Sequence, residues 1–173
     1  VLVNRIAYIL QCELCKPWQI LAITFTNKAA GELKERICAA VPEGGADIWA
    51  ATFHSTCARI LRRYGDRIGY TSHFTVYGTH DQKKLVKDIL KQLNIAEKTL
   101  PVKSILSEIS KAKDKMLTPE EMRKEAEFDS RKAQIAKVYE IYQTKLKTAD
   151  AMDFDDMLCN TVKLFEAAPD ILD

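Results

Sequence analysis

The sequence predicts an α/β fold in which a small parallel sheet is joined to a mainly helical subdomain. Two short apolar runs, residues 20–24 and 48–52, have the length and composition of buried parallel strands. A segment with apolar residues every three or four positions follows each run, which indicates a helix. From about residue 73 helical periodicity dominates, with one β-like run at residues 73–77.

Helix and strand signals alternate along the first seventy residues. Helices are predicted at 1–11, 28–41 and 54–64, with the two apolar runs between them. Two strands are too few to cover these helices, so further strands are expected from elsewhere in the polypeptide. Helices are predicted in the second part at residues 81–93, 102–116, 118–126, 129–148 and 154–167.

Composition excludes several classes of protein. The apolar fraction of 47% and the charged fraction of 29% are typical of globular proteins rather than disordered ones. No apolar run approaches the roughly 20 residues that a membrane span requires, so no membrane partner is expected. The five cysteines, without a secretion signal, favour reduced thiols in a cytoplasm. Cys12 and Cys15 have half the spacing of a zinc site, but no second pair follows, so no metal site is predicted.

Basic residues are unevenly distributed. Residues 1–80 hold nine Lys and Arg against six Asp and Glu, and residues 81–150 hold sixteen against twelve. Residues 151–173 hold one against six. A modest basic excess in the first two stretches permits a polyanionic partner without requiring one.

Two short segments after the predicted strands have a composition that suits nucleic acid. Residues 24–27 (Thr-Phe-Thr-Asn) and 52–55 (Thr-Phe-His-Ser) each follow a strand and open a helix. In a parallel sheet both turns fall at the carboxyl edge, where open α/β folds bind ligands. Helix N-terminal N–H groups with short polar side chains suit phosphates, and an aromatic ring suits an unstacked base. The spacing therefore permits a track for one nucleic-acid strand.

The same segments also have a purely structural interpretation, and the spacing leaves it open. Ser, Thr and Asn are ordinary helix N-caps, and a Phe at the end of a strand usually belongs to the core. On these grounds alone, His54 is more often a hydrogen-bonded and partly buried side chain than a ligand contact.

A resemblance to a known family bears on this choice. Residues 20–30 (Ile-Leu-Ala-Ile-Thr-Phe-Thr-Asn-Lys-Ala-Ala) resemble motif Ia of superfamily 1A DNA helicases of the UvrD/Rep/PcrA type. Residues 51–63 resemble motif Ib and its helix. Residues 152–158 (Met-Asp-Phe-Asp-Asp-Met-Leu) are similar to the segment with which that family's chain re-enters its first core domain. Residues 1–8 are similar to the helix after the family's Walker A loop. The resemblance covers nearly the whole chain in the family's order.

The resemblance implies part of a P-loop NTPase (RecA-like) core with a helical insertion. Residues 1–72 and 151–173 would belong to core domain 1A. Residues 73–150 would be domain 1B, which in the family lies near the duplex and the strand junction. Carried over position by position, single-stranded DNA contacts are expected at Phe25, Thr26, Asn27, Thr52, His54, Ser55 and Phe154. Gly31 departs from the commoner Arg, so no contact is assigned to it.

The resemblance implies ATP and Mg²⁺ as cofactors of the whole helicase, yet the sequence holds neither motif that binds them. The Gly44-Gly45 pair is not followed by the Lys-Ser/Thr of a phosphate-binding loop. Asp153, Asp155 and Asp156 fall at a helix start, where capping is favoured over metal ligation. In the family the Walker A loop would precede this segment and the acidic pair would follow it. We therefore expect no catalytic, cofactor-binding or metal-binding residue here and no ATPase activity from this chain alone.

The expected parent protein is a cytoplasmic, ATP-dependent 3′-to-5′ DNA helicase of DNA repair or replication. This chain would contribute contacts to single-stranded DNA and the duplex junction, next to the rest of the helicase polypeptide. Two alternatives stay open. A helicase–nuclease subunit of the RecB/AddA kind shares these motifs, and a stand-alone nucleic-acid-binding or partner-docking module could use the 1B surface without ATP.

Overall fold

The computed structural model describes residues 1–172, so that only Asp173, the last residue of the predicted return segment, lies outside the description. The chain divides into two compact units, residues 1–57 and residues from 58 onward. The division differs from the predicted domain boundary after residue 72, and it falls inside a helix. The assignment to domains 1A and 1B stays a prediction.

The first unit contains two strands that pair in parallel, with helices before and after each strand. Leu21 lies opposite Trp49 and Thr24 lies opposite Thr52, so the two strands end level with each other. The elements are α1 (Leu2–Gln11), β1 (Leu21–Thr24), α2 (Asn27–Ala40), β2 (Trp49–Thr52) and α3 (Phe53–Tyr64), which continues into the second unit.

Helix α2 holds the first unit together. Its buried residues Ala30, Leu33 and Ile37 repeat at three and four positions and so form one apolar stripe. The stripe packs with Ile6 of α1 and Ile48 beside β2 in a single apolar core. Ile37 is fully buried there, and the core fixes the direction in which α2 leaves the end of β1.

The second unit is mainly helical, with an apolar core cluster and a second pair of parallel strands. The largest fully buried side chain of this core is Tyr142, and Ile105 and Ile135 pack in the same cluster. The elements after α3 are β3 (Thr75–Tyr77), α4 (Thr79–Gln92), α5 (Val102–Asp114), α6 (Pro119–Ala126), α7 (Ser130–Thr148), β4 (Ala151–Asp153) and α8 (Phe154–Ala167).

The predicted fold class is confirmed as mixed α/β, mostly helical with short parallel strands. Every predicted helix and strand is present, with ends shifted by at most about two residues. Strand β4 is a strand that the sequence did not predict. It pairs in parallel with β3, placing Tyr77 opposite Asp153. All three residues of β4 are buried, so no alternation of apolar and polar side chains marks it.

Within residues 1–172, no helix has both the length and the apolar character that a bilayer span requires.

Gly31 offers a direct test of the exposed face of α2. A Cβ atom added at this position meets no atom within 4 Å, and the residue is exposed in the helix interior. Because glycine costs about 0.5–1 kcal/mol relative to alanine in a helix, Gly31→Ala should raise the free energy of unfolding by about that amount. Urea denaturation measures the change.

Gly44 is the matched control for that substitution. It has a φ of 86°, and an added Cβ would lie 2.7 Å from Cγ of Pro17. Gly44→Ala should therefore destabilise the chain. Equal effects of the two substitutions would contradict this account of the first unit.

Candidate nucleic-acid interface

Parallel pairing of β1 and β2 brings the two motif-bearing turns to the same edge of the sheet. Because Thr24 and Thr52 are register partners, the segments that follow them leave the sheet side by side. The prediction that both turns fall at one carboxyl edge is confirmed. Residues 25–27 and 53–55 are thereby neighbours at the start of two helices, α2 and α3.

Two phenylalanine rings meet at this edge. The ring centroids of Phe25 and Phe53 lie 5.7 Å apart, and the ring planes are inclined by 44°. Phe25 is 90% exposed and Phe53 is 45% exposed. The structural interpretation, in which a Phe at a strand end is part of the core, is therefore wrong for Phe25. An exposed pair of aromatic rings is costly in water and marks a surface suited to stacking.

Thr26 caps helix α2. Its Oγ1 accepts a hydrogen bond from the backbone N–H of Ala29 at 3.1 Å, and the hydroxyl of Thr24 donates to the carbonyl oxygen of Thr26 at 3.2 Å. The capping alternative is thus confirmed for Thr26. Thr26 and Asn27 are also exposed beside Phe25. The positive end of the α2 dipole opens to solvent at this point, which favours an anion.

Thr52 organises the start of helix α3. It is 6% exposed, and its Oγ1 accepts from the N–H of Ser55 at 3.2 Å while its hydroxyl donates to Oγ of Ser55 at 2.8 Å. Ser55 is exposed and His54 is half-buried. Of these predicted contact residues, Ser55 is therefore open to solvent, and Thr52 is turned toward Ser55.

Phe154 belongs to the second unit. It is the first residue of α8 and is 48% exposed. The three residues before it form β4 and are buried, so Phe154 is the first side chain of this segment to reach the surface.

Asp153 and Asp156 at the start of α8 cap the helix, as predicted. Oδ1 of Asp153 accepts from the N–H of Asp156 at 2.8 Å, and Oδ2 of Asp156 accepts from the N–H of Asp153 at 3.2 Å. This reciprocal pair is a capping box. Among the residues that the structure describes, no group of three or more His, Cys, Asp or Glu side chains is placed to hold a metal ion.

A buried lysine completes this acidic site, and sequence reasoning missed it. Nζ of Lys113 lies 2.6 Å from Oδ2 of Asp153 and 2.8 Å from Oδ1 of Asp156, and the Lys113 residue is 3% exposed. Tyr142 donates its hydroxyl to Oδ2 of Asp153 at 2.8 Å, and Nε2 of Gln143 donates to Oδ1 of Asp156 at 3.0 Å. Burial raises the pKa of Asp156, and the charge of Lys113 acts in the opposite direction. These five residues are called the Lys113 cluster below.

Comparison with known proteins decides the family. The UvrD/REP helicase N-terminal domain family matches residues 1–173. The chain belongs to this family. The predicted resemblance to UvrD/Rep/PcrA-type helicases is therefore confirmed.

Individual relatives agree with this family assignment. The chain is 46% identical over 175 residues to the "ATP-dependent DNA helicase PcrA" of Bacillus subtilis (strain 168). It is 44% identical over 173 residues to the protein of that name from Staphylococcus aureus (strain Mu50) and 46% identical to the one from Staphylococcus epidermidis. These alignments cover 100% of this chain but only 23–24% of each relative. The helicase–nuclease and stand-alone alternatives are not favoured by these matches.

The Lys113 cluster should contribute strongly to the free energy of unfolding. Lys113→Met leaves two buried carboxylates without their cation, which should lower the free energy of unfolding by about 3–5 kcal/mol near neutral pH. An acid whose pKa is raised in the folded state binds its proton more tightly there than in the unfolded state. The loss should therefore shrink as pH falls from about 8 toward the ordinary carboxyl pKa of about 4.

Urea denaturation of wild type and variant at both ends of that pH range measures the effect. Lys111→Met is the matched control, because Lys111 lies in the same helix and forms an exposed pair with Glu108 at 2.8 Å. It should change stability by less than about 1 kcal/mol at either pH. A loss of the same size for both lysines, or one that grows toward acid pH, would contradict the assignment.

Proposed function

We propose that this chain is the part of an ATP-dependent DNA helicase that holds single-stranded DNA, with Phe25 and Phe53 as the platform on which bases stack. The observation that carries the proposal is the exposed ring pair at the shared end of β1 and β2, between two helix N-termini. Family membership and the helicase names of its relatives support DNA as the ligand.

The ring pair supplies the sequence-independent part of the binding. Every base has a π-face, so stacking on an aromatic side chain contributes roughly 1–3 kcal/mol per base with little sequence preference. The two planes are inclined by 44° and are therefore not stacked on each other. The face of Phe25, which is almost fully exposed, is the primary surface for a base.

Phosphates bind beside the rings at the N-termini of α2 and α3. Asn27 and Ser55 present exposed polar side chains there, and Thr26 adds its exposed surface while capping α2. His54 is half-buried next to Ser55 and is proposed as a further contact. Thr52 acts indirectly in this proposal, because its buried hydroxyl holds Ser55. Phe154 is proposed as an additional aromatic contact on the second unit.

The wider roles in the proposal rest on the resemblance. Residues 1–72 and 151–173 serve as parts of core domain 1A, and residues 73–150 serve as domain 1B near the duplex junction. The complete protein uses ATP and Mg²⁺ and moves 3′-to-5′ during repair or replication in the cytoplasm. This chain by itself does not hydrolyse ATP, because its sequence contains no Gly-Lys-Ser/Thr loop.

Single-ring substitutions test the platform. Phe25→Ala and Phe53→Ala should each weaken binding of a fluorescein-labelled oligothymidylate by roughly 1–3 kcal/mol, measured by fluorescence anisotropy. The slope of log affinity against log salt should stay the same in both variants, since that slope counts phosphate contacts rather than stacked bases.

Trp18→Ala is the matched control for that experiment. Trp18 is an exposed aromatic residue of the same unit, in the 3-10 turn Pro17–Gln19 before β1 and thus at the opposite end of the strand. It should bind oligothymidylate as wild type does. Equal affinity of all three variants would remove the ring pair from the binding surface.

A further inference from the structure

We propose that Lys113 is a positioning residue for DNA binding, which fixes Phe154 by holding the first turn of α8 against α5 and α7. The inference deepens the proposed function and rests on Phe154 being a DNA contact. Lys113 itself is only 3% exposed, so the proposed role is indirect. Its effect passes through Asp153 and Asp156, the residues that flank the Phe154–Asp155 dipeptide.

Three parts of the second unit converge on this cluster. Lys113 comes from the last turn of α5, and Tyr142 and Gln143 come from the middle of α7. The two carboxylates come from the junction of β4 and α8. The carboxylates accept side-chain contacts from both helices at 2.6–3.0 Å. Four polar contacts from two directions fix the junction in place.

The capping box and the Lys113 cluster constrain Asp153 and Asp156 in different ways. The capping box joins Asp153 and Asp156 to each other's backbone, so it shapes the first turn of α8 locally. That arrangement would be equally satisfied if the turn shifted as a whole. The contacts from Lys113, Tyr142 and Gln143 restrict this freedom, because they join the turn to helices distant in the sequence, in addition to the pairing of Asp153 with Tyr77 of β3.

The energetics of buried charge favour a positioning role over a stabilising one. Removing two carboxylates and an ammonium from water costs several kcal/mol per ion in general, and an apolar replacement of similar volume is often as stable. An ion cluster differs from an apolar contact in requiring one specific geometry. The residue that benefits is Phe154, which follows three buried residues of β4 and is the first to reach solvent.

The ammonium can be removed together with one of its two carboxylates. Lys113→Met/Asp156→Asn creates no unpaired charge at these two positions, but it leaves Asp153 without its ion pair. Asp153 keeps its cap of α8 and the hydroxyl of Tyr142. Tyr142→Phe is a second and milder variant, which keeps both ion pairs and loses one hydrogen bond. The expected effect of Tyr142→Phe has the same direction and a smaller size.

Oligothymidylate affinity is measured for each variant with Phe154 intact and with Phe154→Ala, at a temperature where circular dichroism shows every protein folded. The double variant should bind about threefold or more weakly with Phe154 intact and should add nothing to Phe154→Ala, since coupled residues are non-additive. Ile89→Ala controls for general loss of stability, because α4 contributes no atom to the cluster. It should lower the melting temperature without changing affinity.

A fluorine label at position 154 gives a readout that a merely structural role would not move. With 4-fluorophenylalanine there, the fluorine NMR resonance should shift or broaden in Lys113→Met/Asp156→Asn and stay in place in Ile89→Ala. The inference fails if the double variant binds with wild-type affinity, if its effect adds to that of Phe154→Ala, or if the fluorine resonance does not move. Each of these outcomes leaves the proposed function intact. If Phe154→Ala itself binds as wild type, the proposed DNA contact of Phe154 fails and the inference falls with it. The Phe25 and Phe53 variants test the remaining proposal separately.

Discussion

The parallel pairing of β1 with β2 is the constraint on which the candidate interface depends. Two segments that are 28 positions apart in the sequence reach the same sheet edge because Thr24 and Thr52 are register partners. A shift of one position would turn every side chain of the shifted strand to the other face of the sheet. The apolar stripe of α2 holds this arrangement from one side, through Ile37 and its neighbours. The exposed rings therefore rest on a buried core that they do not belong to.

The second unit depends on a different constraint, the burial of charged side chains. Its core is apolar through most of α4, α5 and α7, but a lysine and two aspartates are buried where β4 leads into α8. Such a cluster is tolerable only when the charges are paired and their hydrogen bonds are made, as they are around Asp153. It binds the short β4 strand and the first turn of α8 to the helices. Local propensity could not do this for a strand of three residues.

Periodicity was sufficient to predict most of the fold. Apolar residues of α2 and α7 repeat at helical spacing, and Pro119 stands at the first position of α6. Strand β4 was not predicted, because Ala-Met-Asp is too short to show a period and its partner β3 lies more than seventy residues away. Pairing over that distance depends on tertiary structure, which a local pattern does not contain.

The site residues were predictable to different degrees. Phe25 and Ser55 are exposed at the expected edge, whereas Thr52 is buried and donates its hydroxyl to Ser55. Phe53 lies within residues 52–55 but was not among the predicted contacts, since only the structure shows its ring beside that of Phe25. Lys113 stands among Lys111, Asp114 and Lys115, a run that resembles a solvated helix face. Its place beside Ala112 on the buried side of α5 was the available signal.

Photo-crosslinking tests the stacking role of Phe25 and Phe53, because it reports which residues touch a base. An oligothymidylate carrying iodouracil at single positions is irradiated with the chain, and the attached peptides are identified by mass spectrometry. We expect crosslinks to Phe25 or Phe53, lost in the corresponding alanine variants and retained in Trp18→Ala. Crosslinks that spare both rings and fall on other surfaces of the chain would contradict that stacking role.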